Sequence, residues 1–196
     1  MKRLFDIIFS VFGMIVLFPV MIIVGLIIKF FSVTPVLFKQ NRVGLNENQF
    51  YLYKFCTMKK EEDSIDSSHL TIQNNPRITK IGRILRKWKL DELPSLFNVF
   101  KGDMSFVGPR PWVKHYIDKL NEKEKLFLKI RPGITCPATL KYANEEYILL
   151  DKENPKEYHD KFILPDKVKL NLLYYNSNDV LSDLFIIFKT IFRGNY

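Results

Sequence analysis

The sequence predicts an α+β chain, mostly helical, with an apolar N-terminal helix kinked at a proline, a small β-hairpin and several amphipathic helices. Three observations carry that prediction. Between Asp6 and Lys29 lie 22 residues without a charge, with Pro19 in their midst. Two short runs rich in β-branched and aromatic residues, Val36–Gln40 and Phe50–Phe55, flank a turn rich in Gly and Asn. From Thr79 onward, apolar residues recur at helical spacing.

The 22-residue run is long enough for a bilayer, since about 20 residues suffice. A cleaved signal peptide fits poorly, because its apolar core is shorter and ends in small residues. Pro19 removes a backbone hydrogen bond and clashes with the preceding turn. It divides the run into arms of 12 and 9 residues. At about 1.5 Å per residue each arm reaches roughly 14 to 18 Å, about half the hydrocarbon thickness. Both flanks are basic, with Lys2 and Arg3 before and Lys29, Lys39 and Arg42 after. The positive-inside rule then puts both ends on one side. A helix that enters, bends at Pro19 and leaves by the same face satisfies these facts; a kinked spanning helix remains open.

Beyond Ser32 the composition changes. Lys59–Pro76 has few large apolar residues and reads as a solvated loop. "TKIGRILRKW" places Ile78, Ile81, Leu85 and Trp88 on one helical stripe and Lys80, Arg83 and Lys87 on another face. Pro94–Lys101 is a short helix closed by Gly102. Trp112–Ile130 reads as a charged amphipathic helix broken by "RPGIT". Asp179–Phe192 carries apolar residues at 180, 181, 184, 185, 188, 191 and 192, a stripe suited to a core or to a membrane interface.

The net charge of +9 favours an anionic partner: lipid, nucleic acid or a phosphorylated substrate. No nucleic-acid recognition motif is present, so nucleic acid is not an expected partner. Cys56, Cys136 and three scattered histidines give neither zinc spacing nor a disulfide framework.

Chemistry concentrates in "KLDELPSLFNVFKGDMSFVGPRP", Lys89–Pro111. Asp91 and Glu92 suit a helix N-terminus, with Asp91 as N-cap and Pro94 in the first turn. They also suit catalysis. An ionised carboxylate is a nucleophile without a partner base and can attack phosphorus. Mg²⁺ takes one or two carboxylates plus phosphate oxygens, which fits Glu92. Arg110, in a Pro-bounded turn, offers a planar fork for phosphate. Lys54 and Arg86 add positive potential.

The order of "FKQNRVG", "YKFCTM", "LRKWKLDELPSLFNVFKGDMSFVGPRP" and "RPGIT" after a Pro-centred apolar segment resembles the bacterial sugar transferase family, the small monotopic polyprenol-phosphate phosphoglycosyl transferases. The resemblance covers roughly residues 1 to 140. It implies a re-entrant membrane helix at 1–32, bent at Pro19, and a compact cytoplasmic catalytic domain at 33–196. It implies residence on the cytoplasmic face of the bacterial inner membrane, in contact with phospholipid and with other glycan-assembly enzymes. The implied reaction moves a sugar 1-phosphate from a UDP-sugar to undecaprenyl phosphate and releases UMP. Asp91 would carry the phosphosugar covalently, Glu92 would bind Mg²⁺, and Lys54, Arg86 and Arg110 would hold phosphates. The alternative is a membrane-anchored adaptor of a glycan-assembly complex, in which Asp91 and Glu92 only cap a helix.

Three departures stand out. Phe18 precedes the kinking proline where the family often has Ser. Cys136 and Pro137 follow Thr135 where many members have Gly. Ala143 stands where an Arg is common, with Lys141 as a candidate replacement.

Overall fold

The structure, a computed structural model, describes residues 2–59 and 75–192. The expected loop at Lys59–Pro76 therefore lies, apart from its ends, outside the described residues. The described residues form two compact units, one of 2–41, 50–59 and 75–103, the other of 42–49 and 104–192.

In the first unit, α1 runs over Lys2–Phe31. Pro19 lies inside it, and the kink expected there does not interrupt the helix. Two of its four buried residues, Asp6 and Ser10, are polar, while Ile8, Phe12, Ile15 and Phe18 are exposed. A helix that turns polar residues inward and large apolar ones outward needs an apolar surrounding. α1 is long and apolar enough to cross a membrane. That exposed apolar surface marks it as a membrane-associating segment.

Further along, Val24 and Ile28 of α1 join a core with Phe55 and Leu85. Phe55 ends β2 (Gln49–Phe55), which pairs with β1 (Leu37–Val43) as the expected hairpin. Leu85 lies on α2 (Lys80–Lys87), whose N-cap Thr79 accepts from the Gly82 amide at 2.8 Å. Of the predicted stripe, Leu85 is buried, but Trp88 at its end is exposed. The basic face of Lys80, Arg83 and Lys87 is exposed as well.

α3 covers Ser95–Lys101 and ends at Gly102, whose φ of 99° is the left-handed conformation a glycine C-cap supplies. Arg3 donates to the carbonyls of Val99 at 2.6 Å and Phe100 at 2.7 Å. A cation on the last carbonyls of a helix meets its negative end. Arg3 is thereby committed to tying α1 to α3.

In the second unit, β3 (Ser105–Val107) and β4 (Gly133–Thr135) pair in parallel, with Ser105 opposite Gly133 and Val107 opposite Thr135. "RPGIT" thus forms a strand as well as a helix stop. The Gly108 amide donates to the Thr135 carbonyl at 3.0 Å, and the Gly133 amide to that of Pro109 at 2.9 Å. A Cβ on Gly133 would collide with the Gly108 backbone, so the close approach requires glycine.

The single helix expected over Trp112–Ile130 is replaced by α4 (Lys114–Ile117) and a 3₁₀ stretch at Glu124–Lys129. Asn121 explains the break. Its Oδ1 accepts from the amides of Lys123 and Glu124, both at 3.0 Å, while Glu124 accepts from the Asn121 amide at 2.9 Å. This reciprocal capping box starts a new turn.

Next come α5 (Pro137–Lys141), α6 (Glu145–Leu150), α7 (Pro155–Tyr158), a π-helical turn at His159–Ile163, and α8 (Leu164–Ser177). The last helix, α9, covers Val180–Phe192. All seven residues of its predicted stripe are exposed; Asp183 and Ile186 face inward instead. Asp183 is held by the Tyr174 hydroxyl at 2.5 Å, and Thr190 by Thr135 at 2.7 Å. These hydrogen bonds fix the polar side inward, so the stripe does not pack into the core.

Candidate active site

The acidic pair sits on a turn made by one unusual backbone conformation. Lys89, at φ 55° and ψ 20°, is left-handed and ends the α2 segment. Leu90–Glu92 then form a single 3₁₀ turn. The Ser95 hydroxyl donates to the Glu92 carbonyl at 2.6 Å, and Pro94 occupies the N-cap position of α3. Asp91 is therefore not the N-cap expected from the sequence. Its turn stands before the helix.

That leaves the Asp91 carboxylate without a capping task. It is 8% exposed, and its Oδ1 is buried with no hydrogen-bond partner among the described residues. Burial pushes its pKa up, and the neighbouring Glu92 adds to the rise. Lys54, Arg86 and Lys89 pull it back down. An uncommitted carboxylate oxygen among three cations, short of water, is expensive unless a ligand or function uses it.

Glu92 is committed. Its Oε1 accepts from Lys54 Nζ at 2.6 Å, with both side chains about four-fifths buried (20% and 17% exposed). Lys54 reaches it from β2. The connection between β2 and α3 is a buried asparagine that the sequence did not single out. Asn98 Nδ2 donates to the Tyr51 carbonyl at 2.7 Å, and Asn98 Oδ1 accepts from the Tyr53 amide at 3.1 Å. One side-chain amide thus satisfies both backbone groups of the strand beside Lys54.

Arg86, half-buried at the end of α2, donates to the Thr57 hydroxyl at 3.0 Å and contacts Met58 Sδ at 3.1 Å. Thr57 also anchors α2 through its carbonyl, which accepts from the Thr79 amide at 3.0 Å. A Cβ on Gly82 would strike that carbonyl oxygen, so glycine permits the contact. The residues just after β2 therefore aim the guanidinium.

Lys54, Arg86, Asp91 and Glu92 are thus brought together in the first unit. Arg110 belongs to the second, exposed in the turn after β3. Sequence reasoning missed Lys89, Asn98 and Thr57. Asn98 carried a weak signal, as a buried-face asparagine in an apolar helix; Lys89 carried none, because its role depends on a positive φ.

No cluster of three metal-type side chains occurs among the described residues. A divalent ion here would take the adjacent carboxylates and complete its shell from phosphate oxygens and water, as Mg²⁺ commonly does. The unpartnered Asp91 Oδ1 and the neighbouring Glu92 fit such an ion. A separate groove of about 830 Å³ lies among α5, α8 and α9, lined by Phe185, Phe188 and Lys141 among others, and contains none of these five predicted residues.

The chain belongs to the bacterial sugar transferase family, whose model matches residues 1–194. It is 35% identical over 198 residues to the undecaprenyl-phosphate glucose phosphotransferase of Komagataeibacter xylinus, an alignment covering 98% of this chain and 35% of the relative. It is 34% identical over 197 residues to the UDP-glucose:undecaprenyl-phosphate glucose-1-phosphate transferase of Escherichia coli (strain K12), covering 99% and 40%. Against the UDP-N-acetylgalactosamine-undecaprenyl-phosphate N-acetylgalactosaminephosphotransferase of Aeromonas hydrophila it is 31% identical over 193 residues, covering 97% and 42%. The chain spans between about a third and two fifths of the length of these curated relatives.

Proposed function

We propose that this chain catalyses phosphoglycosyl transfer: a sugar 1-phosphate passes from a UDP-sugar to undecaprenyl phosphate, and UMP is released. The observation that carries this reading is the Asp91 carboxylate, buried beside three cations with one oxygen in no hydrogen bond. The names of the relatives support the substrate classes.

The reaction divides into two displacements at one phosphorus. An Asp91 oxygen attacks the phosphorus that bears the sugar, and the P–O bond to UMP breaks, its electron pair leaving with UMP. A covalent aspartyl phosphosugar remains. A phosphate oxygen of the polyprenol carrier then attacks the same phosphorus, the bond to Asp91 breaks, and the carboxylate is restored. No proton need move in either step, because both nucleophiles enter as anions.

Lys54, Arg86 and Lys89 oppose the rise that burial and Glu92 give the Asp91 pKa and present positive charge to incoming phosphate. Arg110 keeps the phosphate role that the family resemblance implies. Mg²⁺, held through Glu92, would neutralise the diphosphate as the leaving group departs. The departing UMP vacates the site before the lipid phosphate arrives, so two bulky anions need not be bound together.

The lipid carrier fixes where the work is done. We assign α1 a re-entrant course through one leaflet, with residues 33–196 on the cytoplasmic face of the inner membrane. The apolar outer surfaces of α1 and α9 and the basic residues Lys2 and Lys29 support contact with phospholipid. Arg3 is spoken for by α3 and adds little to headgroup binding.

The test is intact-mass analysis after incubation with UDP-sugars and Mg²⁺, alongside UMP release. An adduct of one phosphosugar on wild type, absent from Asp91→Asn, is the expected result. Product formation with no adduct under any donor would overturn the two-step route. No UMP release from any donor would favour the adaptor reading.

A further inference from the structure

The outer face of α2 takes no part in the reaction scheme, and its inner face is fixed. Leu85 is buried in a core shared with Val24 and Ile28 of α1, and Ile81 packs against the same core. Gly82 lies against the Thr57 backbone, and the Thr79 N-cap holds the first turn. With Ile81, Gly82 and Leu85 turned inward, α2 cannot rotate to hide its other side. Lys80, Arg83, Ile84, Lys87 and Trp88 are therefore left exposed.

Two of these residues are large and apolar. Ile84 is 60% and Trp88 62% exposed, and at four residues apart they are neighbours on the helix surface. The other three are cations, and α2 contains no acidic residue. None of the three forms an ion pair with another described residue. Lys87 Nζ lies 6.0 Å from the centre of the Trp88 ring. Water favours the cations but not the paired apolar side chains; a protein core favours the apolar pair but not three unpaired cations. An anionic lipid surface suits both, because tryptophan settles at headgroup level while lysine and arginine meet phosphate. The face is also continuous with a membrane-associating segment, since the core that holds α2 is built on α1.

We propose that α2 is an interfacial helix of this chain, laying Ile84 and Trp88 into the headgroup region of an anionic bilayer and Lys80, Arg83 and Lys87 against its phosphates. The inference rests on the membrane association of α1 and not on the two-step chemistry. α2 runs through Trp88 and Lys89 directly into the acidic turn. Seating its outer face therefore holds that turn at the lipid surface.

The test places the full-length chain in nanodiscs of mixed phosphatidylcholine and phosphatidylglycerol, with bromine on the acyl chains as a contact quencher. The chain has two tryptophans, so the Trp88 signal is wild type minus Trp88→Leu. Phe18→Trp on the Trp88→Leu background reports on α1 separately. Brominated lipid is expected to remove most of the Trp88 emission. Lys80→Gln, Arg83→Gln and Lys87→Gln together should lower the seating equilibrium about a hundredfold, at about fivefold per charge, and so abolish most of that quenching. The Phe18→Trp signal should not change in the triple variant, and discs of phosphatidylcholine alone should act on Trp88 as the triple variant does. Quenching of Trp88 by aqueous acrylamide but not by brominated lipid would make the face merely solvated. Quenching by neither would mean that a second copy of the chain covers it. Either result, with Phe18→Trp still quenched by lipid, overturns the proposal and leaves α1 in the membrane. Lipid quenching of Trp88 undiminished in the triple variant would overturn the anionic surface as the partner. Lipid quenching at neither position 88 nor position 18 would refute the membrane reading of α1 and this proposal with it. Absence of an Asp91 adduct would refute the two-step chemistry yet leave these signals standing.

Discussion

Lys54 Nζ lies 2.6 Å from Glu92 Oε1, so a residue of the hairpin and a residue of the acidic turn form one partly buried ion pair. The pair ties β2 to the turn. Lys54 also lowers the Asp91 pKa while Glu92 raises it.

From this, Lys54→Met should move the acid limb of the pH–rate profile to higher pH, because Asp91 loses a neighbouring cation that favours its ionised form. Activity should fall at pH 6 more than at pH 8. Initial rates of UMP release across pH 5 to 9 would check this; a uniform fall across the range would indicate lost substrate binding instead. Glu92→Gln should shift the Mg²⁺ titration to higher concentration, and an unchanged titration would remove Glu92 as a ligand.

Asp91→Asn should abolish turnover by roughly 10⁴-fold or more, as expected on removing a nucleophile. It should also stabilise the protein at neutral pH. The Asp91 pKa is raised in the folded state, so the native chain binds this proton more tightly than the unfolded chain. Its favourable contribution is therefore present below about pH 4, the ordinary Asp range, and is lost as pH rises through the folded value. Thermal melts at pH 7.5 should show a higher Tm for Asp91→Asn, and the gap should close toward pH 4. A lower Tm at pH 7.5 would mean the carboxylate makes favourable contacts in the fold.

Asn98→Ala should destabilise by about 1–3 kcal/mol, since it removes the partner of the part-buried Tyr53 amide and Tyr51 carbonyl. Activity should fall with it, because the strand carrying Lys54 loses its attachment to α3. Denaturant unfolding together with rates in the folded range would separate the two effects. Asn98→Asp is expected to fail similarly, lacking the donor that meets Tyr51.

Gly82→Ala should cost about 1–3 kcal/mol, typical of overpacking, because its Cβ runs into the Thr57 carbonyl. Shifting α2 away from Thr57 also releases Arg86 from its hydroxyl partner. The expected signature is a raised KM for the nucleotide sugar in addition to a lower Tm; a lower Tm with an unchanged KM would show that Arg86 does not depend on this seat.

Much of the local architecture was legible because it depends on neighbours in sequence. The glycine stop at Gly102, the hairpin runs around a Gly and Asn turn, the Thr79–Lys87 helix and the apolar N-terminal segment follow from propensities and periodicity. The capping box of Asn121 and Glu124 was equally local, and it explains why Trp112–Ile130 is not one helix. Other features depended on distant partners. Asp91 falls outside the α3 cap because Lys89 adopts a positive φ. The apolar stripe of α9 faces outward because Tyr174 and Thr135 hydrogen-bond to its other side.

Residue types and their order alone determined that this chain carries an apolar anchor, a basic balance and an aspartate–glutamate turn, since each is a matter of composition or short spacing. Only the tertiary structure decided that Asp91 keeps an uncommitted oxygen beside Lys54, Arg86 and Lys89, and that Asn98 joins strand to helix. Burial and charge proximity depend on which distant segments pack together, and packing of that kind has no period a sequence displays.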